Sequence, residues 1–158
     1  MYCEKYVRYV ICSFIFVTAT LATIGCVESD EEEQAAKTAI EFADHFFNYE
    51  LKEAASLATD DSQKWINFFA SNVDEATINL IRNQQENATI TIDDITINTP
   101  TMATATITAN NFVWSMGGIK DSAIVIEKAR FTLYLRKENE KWRIRMDSLP
   151  QSERQSRD

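Results

Sequence analysis

The sequence predicts an α+β domain in which N-terminal helices pack on one face of a curved, four-stranded antiparallel sheet. Apolar residues recur at three- and four-residue steps between residues 33 and 84, which is the period of a helix face. From residue 89 to residue 146 they alternate with polar residues, which is the period of a half-buried strand. Because the helical segments all precede the strands, we expect the helices to gather on one face of the sheet.

The first half of the chain predicts several helices. Asn48 and Tyr49 mark a bend between the first helix and a short second one, and the polar residues 59–62 mark a break before the next. The apolar positions of the first helix are Ala36, Ala39, Ile40, Ala43, Phe46 and Phe47. A second helical face is marked by Trp65, Phe68 and Phe69, and a third is indicated by Val73, Thr77, Leu80, Ile81 and Gln84.

The second half predicts four strands joined as a meander with one apolar face. In the first strand the alternation changes phase at Asp93-Asp94, which indicates a β-bulge. Turns are expected at Gly117-Gly118 and at residues 138–140. The inward positions of the other strands are Ala103, Ala105, Ile107 and Ala109, then Ala129, Phe131, Leu133 and Leu135, and finally Trp142, Ile144 and Met146.

Residues 1–25 have the composition of an export signal. Lys5 and Arg8 precede a short apolar stretch, and small or β-branched residues follow it. The domain organisation that we predict is a signal peptide at 1–25, an acidic tether at 26–32, one domain at 33–147 and a disordered tail at 148–158.

The end of this segment, residues 21–26, resembles the lipobox of bacterial lipoproteins, with Gly25 directly before Cys26. The resemblance implies that Cys26 is acylated, for example with palmitate, and that the chain is an outer-membrane lipoprotein of the cell envelope, periplasmic or surface-exposed. An ordinary signal anchor with an incidental cysteine is the alternative. The acidic run after Cys26 has two interpretations, a solvated tether that doubles as a helix start and a surface-export tag.

The order of helices and meander, with the phrases at residues 42–59 and 134–144, resembles the nuclear transport factor 2-like superfamily, whose sheet wraps as a cone around a helix. A cystatin-like arrangement is the neighbouring possibility. The resemblance covers residues 33–147 and implies three alternatives: a cone that binds a small apolar ligand, an isomerase or dehydratase site, or an interaction module. Fold alone cannot choose among them.

Charge and composition narrow the range of partners and cofactors that we expect. The formal net charge is −8, which disfavours nucleic acid as a partner. His45 is the only histidine, so the chain lacks the ligands of an ordinary zinc site, and we expect neither a metal nor a cofactor. No glycine-rich phosphate loop is present.

Two weak sets of site residues remain. If the bulge turns Asp93 or Asp94 into an apolar cone, burial would raise the pKa of that carboxyl and suit it to proton transfer, with Tyr49 as its partner. An exposed carboxylate pair is the alternative. Phe112, Trp114 and Met116 alternate near a strand end, where they would line a pocket mouth or a partner surface, or simply pack in the core.

The leading hypothesis is therefore a lipid-anchored, non-catalytic envelope protein that binds a small apolar ligand or an envelope protein. The isomerase- or dehydratase-like enzyme and a structural or assembly lipoprotein are the alternatives. The expected partners are the membrane, through the anchor, and that ligand or protein.

Overall fold

The computed structural model describes residues 24–115 and 123–152, with side chains from Asp30 onward. The chain divides into two units, Met1–Glu33 and Gln34–Asp158, and the sheet and core belong to the second. The helices are α1 (Ile24–Phe47), α2 (Leu51–Leu57), α3 (Gln63–Ser71) and α4 (Glu75–Asn83), with a 3₁₀ turn at Asp60–Ser62. The strands are β1 (Thr89–Thr99), β2 (Met102–Trp114), β3 (Ile124–Glu138) and β4 (Lys141–Arg145).

The four strands form one antiparallel sheet in the order β1-β2-β3-β4, so the predicted α+β class and meander are confirmed. The predicted bulge is present, because the β1–β2 register shifts between Ile92 and Asp94. Asn139 and Glu140 both have positive φ, at 49° and 61°, as a two-residue hairpin turn of type I′ requires. The predicted turn at Gly117-Gly118 lies outside the described residues.

The core lies between the helices and the inward positions of the sheet. Small residues on both surfaces allow close approach, with Ala35, Ala39 and Ala43 of α1 fully buried, as are Ala105 and Ala109 of β2. Aromatic rings fill the wider end of this space. We call Phe42, Phe46, Phe47, Phe69, Phe112, Trp114 and Phe131 the aromatic cluster; each of these side chains is at most 5% exposed.

A backbone kink in β2 turns the C-terminal end of this strand towards the aromatic cluster. Asn111 has a φ of 52°, in the left-handed region that asparagine tolerates better than most residues. Ala109 and Phe112 are both fully buried although they are three positions apart, so the inward phase of the strand changes at Asn111. The kink is held by Gln84, whose Nε2 donates to the Asn111 carbonyl at 2.9 Å.

The backbone of residues 26–32 is helical, since α1 begins at Ile24 and the acidic run contains no glycine or proline to interrupt it, and this agrees with the interpretation of that run as a tether that doubles as a helix start. One predicted segment differs in the structure. Disorder from residue 148 onward is wrong for residues 148–152, since Leu149 packs against the core, Pro150 is buried and Ser152 bridges to Phe131. Residues 153–158 lie outside the described part.

Within residues 24–115 and 123–152, no helix combines the length and the apolar character needed to cross a bilayer.

Candidate functional site

Asp93 lies at the β-bulge but on the face of the sheet away from the helices. Its Oδ2 accepts from the Thr108 hydroxyl at 2.7 Å and from Arg130 Nε at 3.0 Å. These contacts lower the pKa of the Asp93 carboxyl, with the Thr108 hydroxyl as the largest cause and Arg130 adding to it. The expectation of a carboxyl with a raised pKa inside an apolar cone is therefore wrong for Asp93.

Asp94 occupies the second bulge position and is also exposed. Its Oδ2 accepts from the Thr96 hydroxyl at 3.3 Å, and its register partner on β2 is Thr106. The apolar alternation resumes only at Ile95, which packs against the core. The bulge thus keeps the isoleucines on either side of it facing inward and leaves both carboxylates outside, because one extra residue restores the two-residue phase.

Tyr49 lies at the C-terminal end of α1, in a left-handed turn with a φ of 63°. The Glu50 amide donates to the His45 carbonyl at 2.8 Å and the Tyr49 amide to the Phe46 carbonyl at 3.3 Å. This pair of bonds is the Schellman arrangement, which normally places glycine where Tyr49 stands. A tyrosine at this position carries backbone strain on the order of 1–3 kcal/mol, so its side chain must contribute enough to offset that strain.

The Tyr49 side chain points back over the domain. Its hydroxyl donates to the Val113 carbonyl at 3.0 Å, and its ring lies 5.4 Å from that of Phe69. Burial is the main cause that raises the pKa of Tyr49 to about 12, while contacts with Ser115 oppose the shift. The hydrogen-bond partners of Tyr49 and Asp93 differ, so no shared contact supports the predicted tyrosine–carboxylate pair.

Phe112 and Trp114 are members of the aromatic cluster and do not form a surface. Phe112 is 0% exposed and Trp114 is 5% exposed. The ring of Phe47 lies 4.9 Å from Phe112, 4.9 Å from Phe131 and 6.3 Å from Trp114, within the range of favourable aromatic pairs. Of the interpretations given to Phe112 and Trp114, packing in the core is therefore confirmed and lining a pocket mouth or partner surface is wrong, because the kink at Asn111 turns both side chains inward. Met116 lies outside the described residues.

A groove opens on the helical side of the domain, next to Tyr49. Its volume is about 380 Å³, and side chains from the α1–α2 connection, the start of α2, α3, the α3–α4 connection and α4 line it. We call it the helix groove and define it by Tyr49, Leu51, Ala70, Val73, Ile78, Ile81 and Arg82. Apart from Arg82 and the Tyr49 hydroxyl, every side chain in this set is apolar.

The walls of the helix groove are held in place by helix ends. Asp74 caps α4 by accepting from the Thr77 amide at 2.7 Å and from the Thr77 hydroxyl at 2.6 Å. At the other end of α4, Gln84 is tied to β2 through its bond to the Asn111 carbonyl. Because both ends of α4 are fixed, Ile78 and Ile81 face the groove from a stable wall.

A second recess, of about 320 Å³, lies between β3, β4 and the segment that follows β4. Arg145 in its lining is paired with Asp147 at 3.1 Å, and Tyr134, 56% exposed, forms one side. It is lined by more polar groups than the helix groove.

His45 pairs with an acid rather than with other metal ligands. Its Nδ1 lies 2.5 Å from Glu50 Oε2 on an exposed surface of the α1–α2 turn. In the part of the chain that the structure describes, no group of three or more histidine, cysteine, aspartate or glutamate side chains is placed to hold a metal ion.

Of the helix groove, sequence reasoning singled out only Tyr49 as a site residue. The missed signal is Ile78, which follows the buried Thr77 directly and is 37% exposed. Adjacent helix positions cannot share a face, so an isoleucine beside a buried position indicates a second apolar surface on α4.

A scan against protein-family models finds no match, and neither does a search of curated proteins. Among solved structures the chain is similar to a crystal structure described as an NTF-2-like protein of unknown function from Shewanella oneidensis MR-1. The TM-score is 0.47 and the identity 12%, with 71% of this chain and 92% of that chain covered. The α+β class of this chain rests on its own helices and sheet.

Proposed function

We propose that this chain is a lipid-anchored, non-catalytic envelope protein whose nuclear transport factor 2-like domain binds a small apolar ligand in the helix groove. The observation that carries the proposal is the groove itself, an apolar opening of about 380 Å³ at the helical side of the domain. Ligand sites typically enclose about 300–1,000 Å³ and are lined mainly by apolar side chains with a few polar groups. The groove meets both criteria.

The interior of the cone does not compete with this site. Rings from α1, α3, β2 and β3 meet there at centroid distances of 4.7–6.3 Å, so the wide end is packed with side chains. The strained Tyr49 turn gives further support. It places a partly polar ring at the junction of groove and cluster, and left-handed non-glycine residues are often retained where a site requires them.

The isomerase- or dehydratase-like alternative assigned proton transfer to Asp93 or Asp94 inside the cone, and neither position supports it, because Asp93 pairs with Arg130 on the outer face and Asp94 is exposed.

Ligand binding is tested by calorimetric titration of the full-length protein with decanol, an apolar probe. We expect saturable binding that Ala70→Trp abolishes, because Ala70 is exposed and a large ring there fills the groove without entering the core. Ala76→Trp is the matched control, since Ala76 is exposed on α4 but outside the groove lining. Equal decanol binding by both variants would remove the helix groove from consideration.

The anchor is tested separately. The proposal requires fatty acid on Cys26, so cells grown with a radioactive fatty acid should label the wild-type protein and not Cys26→Ala. The variant should also remain uncleaved if lipid attachment precedes removal of residues 1–25. Persistent label on Cys26→Ala would place the lipid on another residue, and absence of label on the wild-type protein would leave an ordinary signal anchor.

A further inference from the structure

Among the residues that the structure describes, Arg82 is the only charged side chain that lines the helix groove. It lies in the last turn of α4, one residue after Ile81, and is exposed at the edge of the groove. Among the described residues it forms no hydrogen bond or ion pair, in contrast to Arg130, Arg136 and Arg145, each of which is paired with an acid. The groove therefore has an apolar interior and one unpaired cation at its edge.

Asp74, the acid at the other end of α4, already accepts two hydrogen bonds from Thr77. Asp74 lies close enough to Tyr49 for its charge to contribute to the raised pKa of the phenol. Both of the bonds that cap α4 end on Asp74 Oδ1, which keeps that carboxylate at the N-terminus of the helix. Arg82 lies two turns away at the C-terminus. Because Asp74 is held at the opposite end of α4, it does not pair with Arg82, and the guanidinium of Arg82 is available to a ligand.

An arginine in the last turn of a helix also interacts favourably with the helix dipole. That role requires only a cation near the last carbonyls and does not require an apolar groove beside it. The two roles differ in what they predict for ligands, since the dipole interaction gives no preference for one ligand head group over another.

We infer that the ligand of the helix groove is a single-chain amphiphile with a carboxylate head, whose alkyl chain lies on Leu51, Val73 and Ile78 while the carboxylate pairs with Arg82. The inference rests on the proposed function, because it names the head group of a ligand that the groove must first bind. Guanidinium is suited to this head, since its planar fork matches the two oxygens of a carboxylate. An exposed edge keeps the ion pair in water and avoids the cost of burying a charge.

The test compares three probes with the same alkyl chain: decanoate, decanol and decyltrimethylammonium, titrated into the full-length protein at neutral pH below their micelle concentrations. We expect decanoate to bind most tightly and the ammonium probe most weakly. Arg82→Gln should weaken decanoate binding about two- to fivefold, the range of an exposed ion pair, and leave decanol binding unchanged. Added salt should reduce the advantage of decanoate over decanol.

Lys37→Gln is the matched control. It removes the same charge from an exposed position on α1, where Lys37 forms a weak pair with Glu41 at 3.9 Å. It should leave the binding of all three probes unchanged. Arg82→Lys should retain part of the preference for decanoate, because the charge remains and the fork is lost.

The possible failures are distinguishable. If Arg82→Gln binds decanoate as the wild type does, or if the ammonium probe binds most tightly, the head-group inference is overturned and the apolar groove stands. If neither decanol nor decanoate binds the wild-type protein, the proposed function fails and the head-group inference fails with it.

Discussion

At the residue scale, Tyr49 combines an unfavourable backbone conformation with several favourable side-chain contacts. Only its hydroxyl reaches the carbonyl of Val113 on the kinked part of β2. Tyr49→Phe keeps the ring and removes that bond, so we expect it to lower the free energy of unfolding by about 1 kcal/mol. Urea unfolding at neutral pH measures this loss, and Tyr134→Phe, on an exposed tyrosine, is the control that should change little.

The same substitution should change the response to alkali. The pKa of Tyr49 is raised from 10.0 to about 12 in the folded protein, so the phenol favours folding below pH 10. That contribution is lost as the pH rises from about 10 towards 12, because the unfolded chain then releases the proton more readily. Tyr49→Phe should lose less stability than the wild type across this interval. Parallel curves for the two proteins would contradict a buried phenol.

Asp93 predicts the opposite response, at the acidic end. Its pKa is lowered in the folded protein by Thr108 and Arg130, so its contribution is present above the unfolded value of 3.8 and lost as the pH falls below it. Asp93→Asn should therefore flatten the loss of stability as the pH falls below about 4. Thr108→Val, which removes the larger cause of the shift, should flatten it too. Urea midpoints at several pH values report both effects.

At the scale of elements, the 3₁₀ turn joins the helical layer to β4. The Thr59 amide donates to the Ile144 carbonyl at 2.9 Å, and the Ser62 hydroxyl accepts from the Met146 amide at 2.8 Å. Thr59 and Ser62 are both 0% exposed, so these bonds are shielded from water. A polar turn predicted as a break and a cap between helices therefore also ties two layers of the fold together.

Ser62→Ala tests this connection. It leaves the Met146 amide buried without its acceptor, and we expect a loss of about 1–3 kcal/mol in the free energy of unfolding. Ser56→Ala is the matched control, because the Ser56 hydroxyl bonds to Glu53 on an exposed part of α2 and its loss should be within about 0.5 kcal/mol. Equal effects of the two substitutions would show that the turn contributes nothing particular to the stability of the fold.

Periodicity predicted the elements because it depends on neighbours in the chain. The alternation around Ile92 and Ile95 was sufficient to place the bulge, and both residues pack against the core as expected. The alternation changes phase again between Ala109 and Phe112, and there the structure has a positive φ at Asn111 and packs Phe112 and Trp114 in the core, one of the interpretations that the alternation left open. Periodicity could not indicate the contact that accompanies this kink, from Gln84 to the Asn111 carbonyl, because the two residues lie 27 positions apart.

At the scale of the whole molecule, the site could not be predicted because it is assembled from distant segments. The helix groove joins Tyr49 and Leu51 to Ala70 and to Ile81. Each of these positions is unremarkable in its own helix, and only the packing of α2, α3 and α4 makes them neighbours. The sequence pointed to the interior of the cone as the place of a site, and aromatic side chains occupy that interior instead.

A ligand that binds only the folded protein should stabilise the whole domain. At a free concentration about 100 times its dissociation constant, the gain is about 2.7 kcal/mol. For a folded unit of this size, that gain corresponds to an increase in the midpoint of thermal unfolding on the order of 10 °C. Calorimetry of the wild-type protein with decanoate should show this increase, and Ala70→Trp should show none, because its groove is filled. If both proteins gained equally, the ligand would be acting at a site other than the helix groove.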